Sequence, residues 1–361
     1  MAEPATIRDL TAALHRVPLP RPWGPDRTRV HLVASTVTDS LGRTGHGLSW
    51  TPTIGGAAAH AMVVTDCAAA VRGMPAEPEV VWDRLWRHLH EAGGGGVTTL
   101  ALAAVDTALW DLRGVVTGTS LTERLGRRRD SVPVYGSGVN RHYPLDELVE
   151  QARRWVAAGF GAVKIKVGLP DLGEDVERVA AVRAVLGDRR GLMVDANQRW
   201  DLPAARRAVA ALRRFDLTWV EEPLLADDLR AHAALRRSVD VPIALGENLH
   251  TAYQFREALL LEACDVVQPN VVRVGGVTPF LRIAELARTH GAVVAPHLLP
   301  DVSGLLALCL PDEVWVEDVE DASLAALGVL ERPSVTVTGG RLHEVTPSAP
   351  GLGLRLRSDL R

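Results

Sequence analysis

Residues 162–197 read AVKIKVGLPDLGEDVERVAAVRAVLGDRRGLMVDAN. The stretch opens on a β-rich run, 162–168, and closes on another, 191–197. Between them Val176, Val179, Val182 and Leu186 recur at steps of 3, 3 and 4, the apolar stripe of a helix lying on a sheet. Strand, helix and strand in this order make a parallel βαβ unit. The same pattern repeats on both sides, with β-rich runs at 132–136, 218–223, 242–248, 266–272, 293–298 and 314–319. Eight such runs separated by helical stretches predict a closed barrel of the (β/α)8 type. An open doubly wound sheet would carry a glycine-rich phosphate loop after its first strand, and none is present.

The flanks read differently. The first 125 residues give a strand at 30–37, a turn-rich stretch at 39–47 and then helices. Trp82, Leu85, Trp86 and Leu89 fall on one helical face, which assigns the tryptophans to a core. Gly93 to Gly96 lack the lysine and hydroxyl residue of a phosphate loop and read as a hinge or loop. The last 40 residues return to strand and turn character, with strands expected at 334–339 and 351–357. The expected organisation is a capping domain at 1–125, a barrel at 126–325 and a C-terminal segment at 326–361.

Composition narrows the functional classes. The chain has 361 residues, 47% hydrophobic and 23% charged, the profile of a folded globular protein. A net charge of -4 provides no basic field for nucleic acid. Cys67, Cys264 and Cys309 are too scattered for a disulfide framework or a thiolate zinc site. Arg8, Asp9 and Arg16 stand where a signal peptide needs an apolar core. The longest charge-free stretch, 47–65, contains Pro52, Gly55, Gly56 and His60, so it lacks the ~20 apolar residues of a membrane span. A cytoplasmic protein without membrane or nucleic-acid partners is expected.

The chemistry-bearing residues lie where the barrel strands end. Lys164 and Lys166 are two apart and share one face, as do Asp195 and Asn197. Later runs supply Glu221 (WVEEP), Glu247 (LGEN), Asn270 (QPN), His297 (APH) and Glu317 (WVED). Asp195, Glu221 and Glu247 are each separated by 26 residues, one β/α unit. Three converging carboxylates cannot all ionise without a cation, and an all-oxygen set favours Mg²⁺ or Mn²⁺. Two close lysines depress each other, which suits one of them to act as a base. With His297 opposite, the ring suits removal of a proton next to a carboxylate, through an enediolate.

These residues, with the segment AVDTALWDLRG at 104–114, resemble the enolase superfamily and within it the mandelate racemase subgroup, over nearly the whole chain. The resemblance implies an α+β capping domain over a modified TIM barrel, (β/α)7β. It implies one Mg²⁺ per subunit on Asp195, Glu221 and Glu247, with Lys166 and His297 as opposed acid/bases. Lys164, Asn197 and Glu317 would hold the substrate carboxylate or the intermediate. The Glu247 ligand and His297 separate the chain from the muconate-lactonising subgroup, and Arg273 stands near that subgroup's catalytic lysine. A small carboxylic acid substrate and a homo-oligomer, from dimer to octamer, are further implications.

One position departs from the pattern. Asn270 occupies the place of an Asp that pairs with the histidine; a neutral amide orients the ring but supplies no charge. That asymmetry tips the expected reaction towards β-elimination of water from an acid sugar. A 2-hydroxy-acid racemase or epimerase stands second, and a ligand-binding homologue impaired by Asn270 stands third. Substrate selection is expected from two capping loops, 19–29 and 47–56, through Trp23, Trp50, Arg21, Arg27, Thr51 and Thr53.

Overall fold

The computed structural model describes residues 5–24 and 26–360, so Pro25 of the first capping loop and both chain ends lie outside the described residues. Three antiparallel strands come first: β1 (Ile7–Pro18), β2 (Arg29–Asp39) and β3 (Thr44–Thr51), in that order across one sheet. Five helices follow: α1 (Gly56–Met62), α2 (Ala68–Val71), α3 (Pro78–Leu89), α4 (Val97–Thr117) and α5 (Leu121–Leu125). Helix α4 carries AVDTALWDLRG and is buried around most of its circumference, because it lies between the sheet and the barrel. The approach of β3 is close: a Cβ on Gly47 would stand 2.3 Å from the Ala108 nitrogen, so only glycine fits. On α3, Leu85 and Leu89 are buried as their spacing predicts, but Trp82 and Trp86 stack on each other half-exposed at its rim. Both rings nevertheless pack against the cap's hydrophobic core, partly buried.

The barrel alternates β4 (Ser131–Ser137), α6 (Leu145–Ala157), β5 (Ala162–Lys166), α7 (Leu172–Leu186), β6 (Gly191–Asp195), α8 (Leu202–Leu212), β7 (Trp219–Glu221) and α9 (Leu229–Arg236). It continues through β8 (Ile243–Leu245), α10 (Ala252–Leu260), β9 (Val266–Val267), α11 (Val277–Thr289), β10 (Val293–Val294), α12 (Pro300–Ala307) and β11 (Val316–Val319). Strands β4 to β10 pair in parallel and in sequence, and β4 also pairs with β11. No helix follows β11; a hairpin of β12 (Val335–Thr338) and β13 (Arg341–Glu344) does, with β13 antiparallel to the start of β4. The architecture is therefore (β/α)7β rather than the complete eightfold alternation read from the apolar runs. The strand expected at 351–357 is absent among the described residues, where single bridges join Ser120 to Gly351 and Leu330 to Leu356 instead.

Period-2 alternation builds two layers. Val163, Ile165, Val194 and Val220 face the helices, while Tyr135, Ala162, Met193, Trp219 and Ala244 form an apolar floor inside the barrel. Lys164, Asp195 and Glu221 stand one inward position higher on the same strands, and Lys166 two. Among the described residues no helix is long and apolar enough to cross a membrane.

Candidate active site

Strand register brings the first three functional residues into one row: Lys166 pairs with Asp195, and Asp195 with Glu221. Each is the last residue of its strand. Glu247 lies just beyond β8, Asn270 beyond β9 and His297 beyond β10. Pro223, Pro269 and Pro296 stand at those strand ends, where a missing N–H stops the ladder and releases the chain into the site loops. Asn197, Gln198, Glu222 and Leu298 adopt positive φ in the same loops, a concentration of backbone strain beside the row.

The row is buried and tightly paired. Lys164 Nζ donates to Glu221 Oε1 at 2.5 Å and lies 2.7 Å from Glu317 Oε1. Lys166 Nζ is paired with Asp195 Oδ2. The other Asp195 oxygen accepts the Asn197 N–H at 2.7 Å. On the far side His297 Nε2 stands 2.9 Å from Glu247 Oε2 and 3.6 Å from Glu317 Oε2. Asn270 Nδ2 meets His297 Nδ1 at 2.8 Å.

Carboxylate oxygens of Asp195, Glu221 and Glu247 lie within 4.8 Å of one another. With Glu317 they make four buried acids against the two ammonium groups of Lys164 and Lys166. The excess is felt at Glu221: burial, then Asp195, Glu317 and Glu247, outweigh Lys164 and push its carboxyl up to about 8. Against burial, Lys164 holds Glu317 down to about 2. A hard divalent cation is the species that three such oxygens and this charge deficit fit.

The lysines correct one expectation. Burial and Lys164 pull Lys166 down, but Asp195 outweighs both and holds Lys166 above the usual lysine range. Lys164 is likewise held well above it, burial being overcome by Glu221 and Glu317. The mutual depression expected from two neighbouring cations loses to carboxylates at contact distance.

Several residues of the site escaped the sequence reading. Gln268 Nε2 donates to Glu221 Oε2 at 2.6 Å; its place two residues before Asn270 was a usable signal. Asn140 accepts the Lys166 N–H at 2.9 Å and steadies that strand end. Glu222, adjacent to Glu221, is kept well above the carboxylate range by burial and by Glu247 and Asp195.

A cavity of about 250 Å³ opens beside Lys166 and Asn197, with Trp23 as a wall and Arg27, Arg141 and His142 around it. Trp50 is buried behind Trp23, ring centroids 6.2 Å apart. Arg21 is turned elsewhere, paired with Glu147 and stacked 3.7 Å over the Tyr143 ring. The Thr51 hydroxyl donates to the Ile54 carbonyl at 2.7 Å and closes its own turn. Neither Arg21 nor Thr51 lines this cavity, because each is already satisfied by a partner in the protein.

The two halves of the chain match known family descriptions: residues 26–126 the N-terminal domain of mandelate racemase and muconate lactonizing enzyme, and residues 147–360 the enolase C-terminal domain-like group. The chain belongs to the mandelate racemase/muconate lactonizing enzyme family. Within this family it is 39% identical to a 3,6-anhydro-α-L-galactonate cycloisomerase of Streptomyces coelicolor, over 97% of each chain. It is 38% identical to an L-talarate/galactarate dehydratase of Salmonella typhimurium, over 81% of this chain and 74% of that one. The crystal structure of an L-talarate dehydratase from Polaromonas sp. JS666, complexed with Mg and L-glucarate, superposes with a TM-score of 0.89 at 37% identity, covering 99% and 96% of the two chains.

Proposed function

We propose that this member of the mandelate racemase/muconate lactonizing enzyme family is a Mg²⁺-dependent acid-sugar dehydratase. The observation that carries the reading is the register-aligned row Lys166–Asp195–Glu221, faced across the barrel by His297 and Glu247. Similarity to dehydratases, one of them with Mg and an acid sugar bound, supports it. Asp195, Glu221 and Glu247 would hold the cation, which supplies positive charge to the substrate carboxylate as its α-proton becomes acidic.

The protein's own groups then divide the work. Lys166 Nζ takes the Cα proton. With Asp195, Glu247 and Glu221 all engaged by a cation, burial and Lys164 would remain to favour the free amine. Lys164 and Asn197 hold the carboxylate end as charge accumulates on it. His297 Nε2–H hydrogen-bonds the hydroxyl leaving Cβ. His297 gives its Nε2 proton to that hydroxide, which leaves as water. Lys166 returns the Cα proton to solvent and His297 regains one, so one water is lost overall. The enol moves its hydroxyl proton to Cβ to become a 2-keto-3-deoxy acid.

A racemase asks His297 to take and return a proton on the second face, and Asn270 brings no charge to support that imidazolium. The dehydratase reading is accordingly preferred. Three free, buried thiols support a reducing, cytoplasmic setting, and the family resemblance supports a homo-oligomer.

The test is Cα–H exchange and product formation by NMR in D₂O with Mg²⁺ and a panel of acid sugars. Wild type is expected to exchange and to form a keto acid. Lys166→Ala should lose about 10²–10⁴-fold in exchange. Unchanged exchange in that variant would remove Lys166 as the base.

A further inference from the structure

Two guanidinium groups stand at the site's outer end without an ion-pair partner among the described residues. The cavity that begins at Lys166 and Asn197 is bordered by Arg27 and Arg141, and its lining contains one carboxylate, the exposed Asp26. Neither guanidinium makes an ion pair or side-chain hydrogen bond among the described residues. Nearby arginines are placed differently: Arg21 has Glu147, and Arg178 is spent on backbone carbonyls. Arg199, close enough to repel Arg141, donates among the described residues only to the Gly168 carbonyl.

The turn that presents Arg141 is built to stay in place. Buried Arg178 donates to the carbonyl of Asn140 at 2.8 Å and to that of Tyr143 at 2.7 Å, clasping the turn from both sides. The Asn140 side chain accepts from the Lys166 backbone at 2.9 Å. Arg141 is thus held at a set distance from the strand that carries the base. Burial first, then Arg199 and Arg27, hold its guanidinium below the usual range against the opposing pull of Asp195 and Asp175.

We infer that Arg27 and Arg141 receive a second carboxylate, at the far end of the substrate, so that the enzyme acts on diacid sugars in preference to monoacids. This rests on the dehydratase reading, which places the reacting carboxylate at the metal row. A cavity of about 250 Å³ is smaller than the roughly 300–1,000 Å³ of drug-sized pockets and suits a short linear ligand. The planar fork of arginine fits a carboxylate with two parallel hydrogen bonds. Similarity alone leaves the choice open, because the relatives span galactonate-type and galactarate-type acids.

The experiment compares six-carbon diacids with the monoacids of the same stereochemistry, following Cα–H exchange and keto-acid formation with Mg²⁺. At least one diacid is expected to exceed its matching monoacid by about 10²-fold or more in kcat/KM, because a monoacid leaves the two guanidiniums unpaired. Arg141→Gln should raise KM for the diacid about 10–10²-fold with a smaller change in kcat, and Arg141→Lys should recover part of the loss. Arg27→Gln, on the exposed loop, gives the same KM effect without disturbing the clasped turn. Monoacids, or monoacids phosphorylated at the far end, turned over as well as diacids would overturn the inference and leave the dehydratase standing. A diacid KM unmoved in both arginine variants would overturn it too. Silence from every acid in the panel would remove the dehydratase reading and this inference with it.

Discussion

Asn270 donates through Nδ2 to Nδ1 of His297 at 2.8 Å, while its own oxygen accepts the N–H groups of Val272 and Arg273 at 3.1 and 3.2 Å. Those two backbone donors settle which way the amide points. Nδ1 of the imidazole is therefore an acceptor, and the ring proton sits on Nε2, towards Glu247. An aspartate in the same place would accept from Nδ1–H and favour the doubly protonated ring.

Asn270→Asp is accordingly expected to move the enzyme away from elimination. Dehydration should fall about tenfold, and deuterium should enter Cα from the His297 face as epimer formation rises. NMR of products in D₂O reads both. A gain in dehydration rate would mean that the amide impairs the site rather than tunes it.

Metal binding should be visible without substrate. In wild type, Mg²⁺ at about 100 times Kd should stabilise the fold by roughly 2.7 kcal/mol relative to protein in chelator. Glu221→Gln and Glu247→Gln should abolish that gain in a thermal melt. In chelator Glu221→Gln should melt no lower than wild type, since Glu221 is already driven towards its neutral form. A full Mg²⁺ response in both variants would remove these carboxylates as ligands.

Stability should fall between about pH 4 and pH 7 in the metal-free protein. Burial pushes Asp106 up to about 7, although Thr278 donates to it through both its hydroxyl and its N–H. Burial also raises Asp318 to about 7 and Asp301 to about 6. The folded state keeps protons there that the unfolded chain releases near pH 4, so unfolding becomes easier as pH rises through that window. Each such proton contributes a slope of about 1.4 kcal/mol per pH unit. Denaturant midpoints at pH 5 and pH 8 check the direction, and Asp106→Asn should flatten the difference.

Gly276 marks where the cap meets the barrel. Its φ is 110°, and a Cβ there would stand 2.3 Å from Asp106 Oδ2. Gly276→Ala must strain the backbone and dislodge Asp106 from Thr278 at once, a cost expected at about 3 kcal/mol or more in equilibrium unfolding. A loss below about 1 kcal/mol would show that the junction yields easily.

The barrel and its row were readable because period-2 strands ending in polar pairs leave few alternatives for Lys164, Lys166 and Asp195. Strand lengths were not. The runs at 266–272 and 293–298 contain Pro269 and Pro296, which cut regular pairing to two residues each, Val266–Val267 and Val293–Val294. Strand β1 went unread because Ala12, Ala13 and Leu14 favour helix, and its pairing with β2, irregular between Ile7 and Asp9, decides the matter. The pockets of Arg27 and Arg141 were hidden for another reason. No local pattern tells that Arg21 finds Glu147 while two other arginines find no ion pair among the described residues. Long-range pairing of charges is settled only when the turns are in place.

Helix α4 carries a second acid whose partners come from distant parts of the chain. Asp111 accepts the His46 N–H from the cap sheet and the Leu352 N–H, both at 2.8 Å, the latter from 241 residues downstream. During synthesis α4 leaves the ribosome long before that second donor exists. Until then Asp111 lacks both that donor and the cover of Gly351, so the cap is complete only once the last residues of the chain return to α4.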